Sequence, residues 1–220
     1  MKKLLVKAAA LGLIGAFLLA GCGKSGENQE AASGQAGRQK ESAGTQGSQE
    51  QEELLTGKHH VNINIKDKGT IAVELDADSA PITVTNFVNL AKSGFYDGLT
   101  FHRIIEGFMM QGGDPDGDGT GGSENKIKGE FANNGIENPL SHVRGAISMA
   151  RSQIKDSASS QFFIVHEDSL FLDGDYAVFG YVTEGMEIVD DICSNATGQD
   201  ENGVLPVGNR PVIESIEVVD

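Results

Sequence analysis

The chain has 220 residues, a formal net charge of −15 and 39% hydrophobic residues, enough for one sizeable domain. Such an acidic surface repels phosphate backbones, so nucleic acid is excluded as an expected partner, and the charge otherwise speaks only to solubility. Composition changes sharply near Gly57, so the globular part is expected to be smaller than the chain. The first residues are Met1, Lys2 and Lys3, and an apolar run follows from Ala8 to Ala20. That run is too short to span a bilayer comfortably and suits the hydrophobic part of a signal peptide.

The run ends in Leu19-Ala20-Gly21-Cys22, which resembles the lipobox of bacterial lipoproteins. The resemblance implies a signal peptide over residues 1–21 and cleavage before Cys22. It also implies a thioether-linked diacylglyceryl group on that sulfur and an added amide-linked acyl chain. One acyl chain holds only marginally at about 0.8 kcal/mol per buried methylene, so a two- or three-chain anchor is what would keep the protein on the membrane. The expected location is the outer face of a bacterial cell membrane. Residues 22–57 comprise the acylated cysteine and a Gly-, Ser-, Gln- and Glu-rich stretch without an aromatic residue, which reads as a flexible tether. With Cys22 blocked, Cys193 has no disulfide partner and reads as a small buried hydrophobe.

From Lys58 to Asp220 the pattern is globular. Val61, Ile63 and Ile65, then Ile71, Val73 and Leu75, alternate with polar residues on either side of Asp67-Lys68-Gly69 and predict a β-hairpin. Pro81 at a first-turn position and Val84, Phe87, Val88 and Ala91 at helical spacing predict an amphipathic helix ending before Gly94. Short apolar runs follow at 101–105, 108–111, 146–150, 162–165, 177–182 and 212–219, with a second helix around Met186, Ile188, Val189 and Ile192. Many strands and few helices point to a β-barrel or sandwich capped by helices.

The chemistry concentrates in FHRIIEGFMMQGGDP at 101–115, GAISMA at 145–150, SQFFI at 160–164 and FLDGDYAVFGYV at 171–182. Adjacent strand residues point to opposite faces, so Phe108 and Met109 can border one pocket only if the chain bends at Gly107. These four motifs, in this order, resemble the cyclophilins, a family of peptidyl-prolyl cis-trans isomerases. The resemblance implies a mainly β fold, a closed eight-stranded antiparallel β-barrel capped by two α-helices. It implies an enzyme that needs no cofactor and no metal, acts on proline-containing unfolded or exported polypeptides, and is expected to be a monomer.

By the same resemblance the catalytic residues are Arg103, Phe108 and Gln111. The substrate groove takes Met109, Ala150, Arg151, Phe163, Phe171, Leu172 and Tyr176, with His102 in support. Three positions depart from the family: Phe171 stands where a tryptophan is frequent, Tyr176 replaces a histidine and Arg151 an asparagine. The alternative from another class is a non-catalytic proline-binding or adhesion module on the same fold. Asp114, Asp116 and Asp118 imitate the start of an EF-hand loop, but position twelve is Asn125, and a plain glycine-rich turn is the expected reading.

Overall fold

The computed structural model describes residues 53–220; the expected signal peptide, Cys22 and the expected tether up to residue 52 lie outside the described residues. The last residues of the expected tether are not loose. Leu55 packs on the core and its amide donates to Thr85 Oγ1 at 2.9 Å.

The hairpin forms as its alternation predicts. Strands β1 (Lys58–Ile65) and β2 (Gly69–Asp76) pair antiparallel, with Val61 opposite Val73 and Ile63 opposite Ile71, all four buried. Asp67 turns the chain at φ 60°, a conformation that short polar side chains tolerate. Helix α1 (Pro81–Lys92) then lays Val84, Phe87 and Val88 on the core. Its cap residue, Ala80, offers no side-chain acceptor. The orphan amides are met from 47–48 residues away: the buried Glu130 carboxylate accepts from Ile82 N at 3.0 Å and from Thr83 N at 2.8 Å.

Strands β3 (Phe101–Ile105), β4 (Met109–Gly112), β5 (Ala146–Met149), β6 (Phe162–Val165) and β7 (Val178–Glu184) follow, then helix α2 (Met186–Ser194) and strand β8 (Ile213–Val218). All eight strands join one antiparallel sheet in the order β3-β4-β6-β5-β7-β2-β1-β8. Strands β3 and β8 are its two ends and share no ladder. The expected closed barrel is therefore found as a curled half-barrel. The reason lies at the free edge of β3, where Phe101 N donates to Pro211 O, Ile104 N to Gly203 O and Leu205 N to His102 O, each at 2.9 Å. The segment leading into β8 thus occupies the edge that β8 itself would need.

The pleat divides the side chains between two apolar clusters. Met110, Phe162 and Ile164 join the hairpin and α1 in the main core, and Phe87 meets Phe162 edge-on and Tyr96 and Phe179 at a tilt there, at 5.1–5.3 Å between ring centres. Cys193 on α2 belongs to the same core, and burial pushes its thiol up to about 12. Met109, Phe163, Val165, Ala146 and Val178 form a smaller cluster that Phe108, Ala150, Leu172 and Tyr176 border.

Candidate active site

On that second cluster, four strands contribute one residue each to a row. Arg103 on β3 lies opposite Gln111 on β4, Gln111 opposite Phe163 on β6, and Phe163 opposite Ser148 on β5. Phe108 enters beside them because Gly107 turns the chain at φ 76° and Phe108 N donates to Ile105 O at 3.0 Å. The bend expected at Gly107 is thus a tight turn between β3 and β4, which frees Phe108 from strand alternation.

These residues enclose a hollow of about 210 Å³ lined by Arg103, Phe108, Met109, Gln111, Ala150, Arg151, Phe163, Leu172 and Tyr176. Its walls are mostly apolar, with a few convergent polar groups, the usual composition of a small-ligand site. Arg103 is half-buried at the wall. Its Nε donates to the backbone carbonyl of Asn202 at 2.8 Å and its Nη1 to Gln111 Oε1 at 3.3 Å, with Met109 Sδ at 3.7 Å. Burial lowers the guanidinium pKa from its ordinary value, while Tyr176 and Asp200 act in the opposite direction. It forms no ion pair among the described residues. Gln111 in turn donates through Nε2 to Gln161 Oε1 at 2.9 Å, which fixes its amide so that the oxygen faces Arg103.

Nine of the eleven domain residues singled out from the sequence meet at this hollow, and two do not. Phe171 is 73% exposed and outside the lining; its ring lies 5.6 Å from that of Phe108, tilted by 33°. His102 is 1% exposed, and neither ring nitrogen bonds to Arg103 or Gln111. Burial, opposed by Asp114, lowers its pKa below 6.5. Its backbone carbonyl, holding Leu205, is what bears on the site. The acidic loop is tied together by its own carboxylates. Asp114 accepts from the amides of Asp116 and Gly119, and Asp118 from Thr120 N and Oγ1. Among the described residues no group of three or more His, Cys, Asp and Glu is arranged to hold a metal.

Two contributors went unread in the sequence. One is the loop 200–204, whose Asn202 carbonyl anchors Arg103. The other is His142, fully buried, whose ring stacks on Phe163 at 5.9 Å and 11°. Its Nδ1 lies 2.7 Å from Asp173 Oδ1 and its Nε2 3.0 Å from Ser148 Oγ. Burial holds this histidine below 6.5 although Asp173 pulls the other way. The neutral ring therefore donates from Nδ1 to the carboxylate and accepts at Nε2 from the serine hydroxyl. That pair locks the floor of the hollow in place.

Residues 60–218 match the family description "Cyclophilin type peptidyl-prolyl cis-trans isomerase/CLD". The chain belongs to this family. It is accordingly an isomerase of X-Pro peptide bonds, and its curated relatives carry that name. A peptidyl-prolyl cis-trans isomerase of Helicobacter pylori (strain ATCC 700392 / 26695) is 51% identical over 128 residues, covering 57% of this chain and 76% of its own length. Peptidyl-prolyl cis-trans isomerase B of Bacillus subtilis (strain 168) is 52% identical over 123 residues, 56% of this chain and 82% of its own. A Cryptosporidium parvum cyclophilin solved in the presence of the dipeptide Ala-Pro superposes with a TM-score of 0.64 at 31% identity, over 73% of this chain and 99% of that one. Eight of the nine residues lining the hollow fall within the four motifs, and Arg151 directly follows one of them.

Proposed function

We propose that this cyclophilin accelerates X-Pro isomerisation in unfolded or newly exported polypeptides at the outer face of a bacterial cell membrane, as a monomer held there by acylated Cys22. Rotation about the bond breaks nothing but must overcome about 18–20 kcal/mol of amide resonance. In the twisted state the prolyl nitrogen regains its lone pair and can accept a hydrogen bond. The observation that supports this reading is the Arg103 guanidinium, half-buried at the wall of a largely apolar hollow and, among the described residues, paired with no carboxylate. Two of its nitrogens are engaged by Asn202 O and Gln111 Oε1, and Nη2 makes no hydrogen bond among the described residues. Phe108, Met109, Phe163 and Leu172 hold the pyrrolidine ring and exclude the water that would favour the planar, polar amide. Gln111 orients Arg103 and bonds the substrate backbone, and Ala150 and Arg151 border the peptide on the other side.

A protease-coupled proline-peptide assay on the full chain tests the catalytic part. Removing one preorganised donor costs about 10²–10³-fold in other enzymes, so Arg103→Ala is expected to lose at least about 100-fold in kcat/KM. A parent protein without turnover would instead support the binding-module alternative. The anchor is tested by fractionation and mass spectrometry: the parent should carry acyl mass on Cys22 and Cys22→Ala should leave the membrane fraction. Residence of both proteins in the soluble fraction overturns the location.

Rapid exported-protein folding is the step such an enzyme serves, because uncatalysed isomerisation takes tens of seconds or longer.

A further inference from the structure

Beside the hollow lies a second cavity of about 250 Å³, and Gln111, Ala150 and Arg151 form the wall between the two. Its character is different. The lining is polar and holds two cations, Lys126 and Arg151, and no acidic residue, in a chain whose net charge is −15.

Both cations are available. Arg151 is fixed by its surroundings, with its guanidinium 4.9 Å from the Phe131 ring centre and 4.6 Å from that of Tyr176. Its Nε donates to Asp175 O and its Nη1 to Ser152 O, both at 2.8 Å, and Nη2 makes no hydrogen bond among the described residues. Among the described residues Lys126 has a single hydrogen bond, at 3.2 Å to Ser159 Oγ. Neither forms an ion pair among the described residues. The nearby loop acids Asp114 and Asp118 are turned to their own loop's donors and line neither cavity.

We infer that this cavity receives a carboxylate side chain, Asp or Glu, from the same polypeptide whose proline occupies the hollow. Lys126 and Arg151 would then make the enzyme selective for prolines with an acidic residue close by in sequence. The inference rests on the hollow being the proline site. Arg151 favours it because the aromatic rings hold a planar, permanently charged fork in place before substrate arrives, so little freedom is lost on pairing. Lys126, on the exposed side, adds a point charge that moves more freely.

The test is a set of proline peptides with alanine flanks in which Glu, Gln or Lys is placed in turn at each of three positions before and after the proline. The full chain and its Lys126→Glu variant are assayed for kcat/KM at low and high salt. At one position, Glu should exceed Gln by about 5-fold and Lys by more. The preference should shrink in about 1 M salt, where screening acts within a few ångströms. In Lys126→Glu it should vanish or turn toward Lys. Because each readout is a ratio within one protein sample, any general loss of activity in the variant cancels. Glu, Gln and Lys peptides within 2-fold of each other at every position overturn the inference, as does a Glu preference unchanged in Lys126→Glu. No turnover of the all-alanine reference peptide would instead overturn the reading of the hollow.

Discussion

Gly203→Ala isolates the contribution of the loop that holds Arg103, the residue proposed to act on the prolyl nitrogen. Gly203 sits at φ 84°, and a Cβ there would lie 2.5 Å from Ile105 Cγ1 and 3.0 Å from Ile104 O, both on β3. A non-glycine residue in this conformation costs about 1–2 kcal/mol before any clash. Relieving the clash requires the loop to lift from β3, which threatens the 2.9 Å bond from Ile104 N to Gly203 O and the 2.8 Å bond from Arg103 Nε to Asn202 O. A net loss of about 2–3 kcal/mol corresponds to a fall of roughly 4–12 °C in Tm for a domain of this size. Turnover should suffer more than binding. The hollow's apolar walls stay in place while the guanidinium moves, and a displacement near 1 Å can cost about 100-fold. Two controls sharpen the result. Gly208 has no φ restriction and no atom within 4 Å of a built Cβ, so Gly208→Ala should be silent. Asn202→Ala should also be nearly silent toward Arg103, because the acceptor is the backbone carbonyl. Thermal denaturation and the peptide assay decide it. A Gly203→Ala protein with parental Tm and kcat would refute the idea that this loop positions Arg103.

Three further outcomes are expected. Glu130→Ala removes the acceptor of two α1 amides and of Thr83 Oγ1 in a buried setting, and should lower stability by about 2–4 kcal/mol in a denaturant titration; an unchanged midpoint would mean the helix end finds other partners. Acidification should destabilise the domain in two windows. His102 and His142 are held below 6.5 by burial, so the unfolded chain binds more protons and stability falls as pH drops through 6.5 toward the folded values. Asp76 and Asp173 lie below 3.8 despite burial, because Lys58 and the His142 amide respectively donate to them, so their contribution is lost only below about 3.8. A Tm that stays level from pH 7.5 to 5 would contradict the histidine part. Finally, with the exposed Phe171 ring in place of an indole donor, the cyclic peptide cyclosporin should bind more weakly than nanomolar, and Phe171→Trp should tighten it; nanomolar affinity of the parent would sink this.

What the sequence revealed was whatever local periodicity encodes. Alternation at β1 and β2 and the apolar runs that became β3–β8 located every strand within a few residues, and Gly107 betrayed the turn that brings Phe108 beside Met109. Features made by distant pairing left no such trace. Glu130 meets α1 across 47–48 residues, Asn202 meets Arg103 across 99 and His142 meets Asp173 across 31. None of these has a periodic or motif-level signal. The edge of the sheet was illegible for a related reason: strand patterns specify which face is buried, not which neighbour fills a free edge, and here residues 203–211 take that edge from β8. The docking of Leu55 on the core, just before Gly57, cannot be told from linker composition.

The manner in which Arg103 is held bears on the role proposed for it. A buried cation is usually stabilised by a carboxylate, and such a pair would have neutralised the field the reaction needs. Here a backbone carbonyl and an amide oxygen orient the guanidinium, and both are dipoles. The full charge therefore remains directed at the hollow, where an apolar lining strengthens it. The same logic accounts for Gln111 rather than a glutamate in the row beside it, and for the Gln161 amide that fixes Gln111 from behind. Gln111→Glu would place a carboxylate about 3.3 Å from Arg103 Nη1. That variant should bind the guanidinium more tightly and catalyse less, with kcat falling at least about 10-fold while Tm stays level or rises. A Gln111→Glu enzyme with parental kcat would show that an unneutralised charge is not what the twisted peptide bond requires.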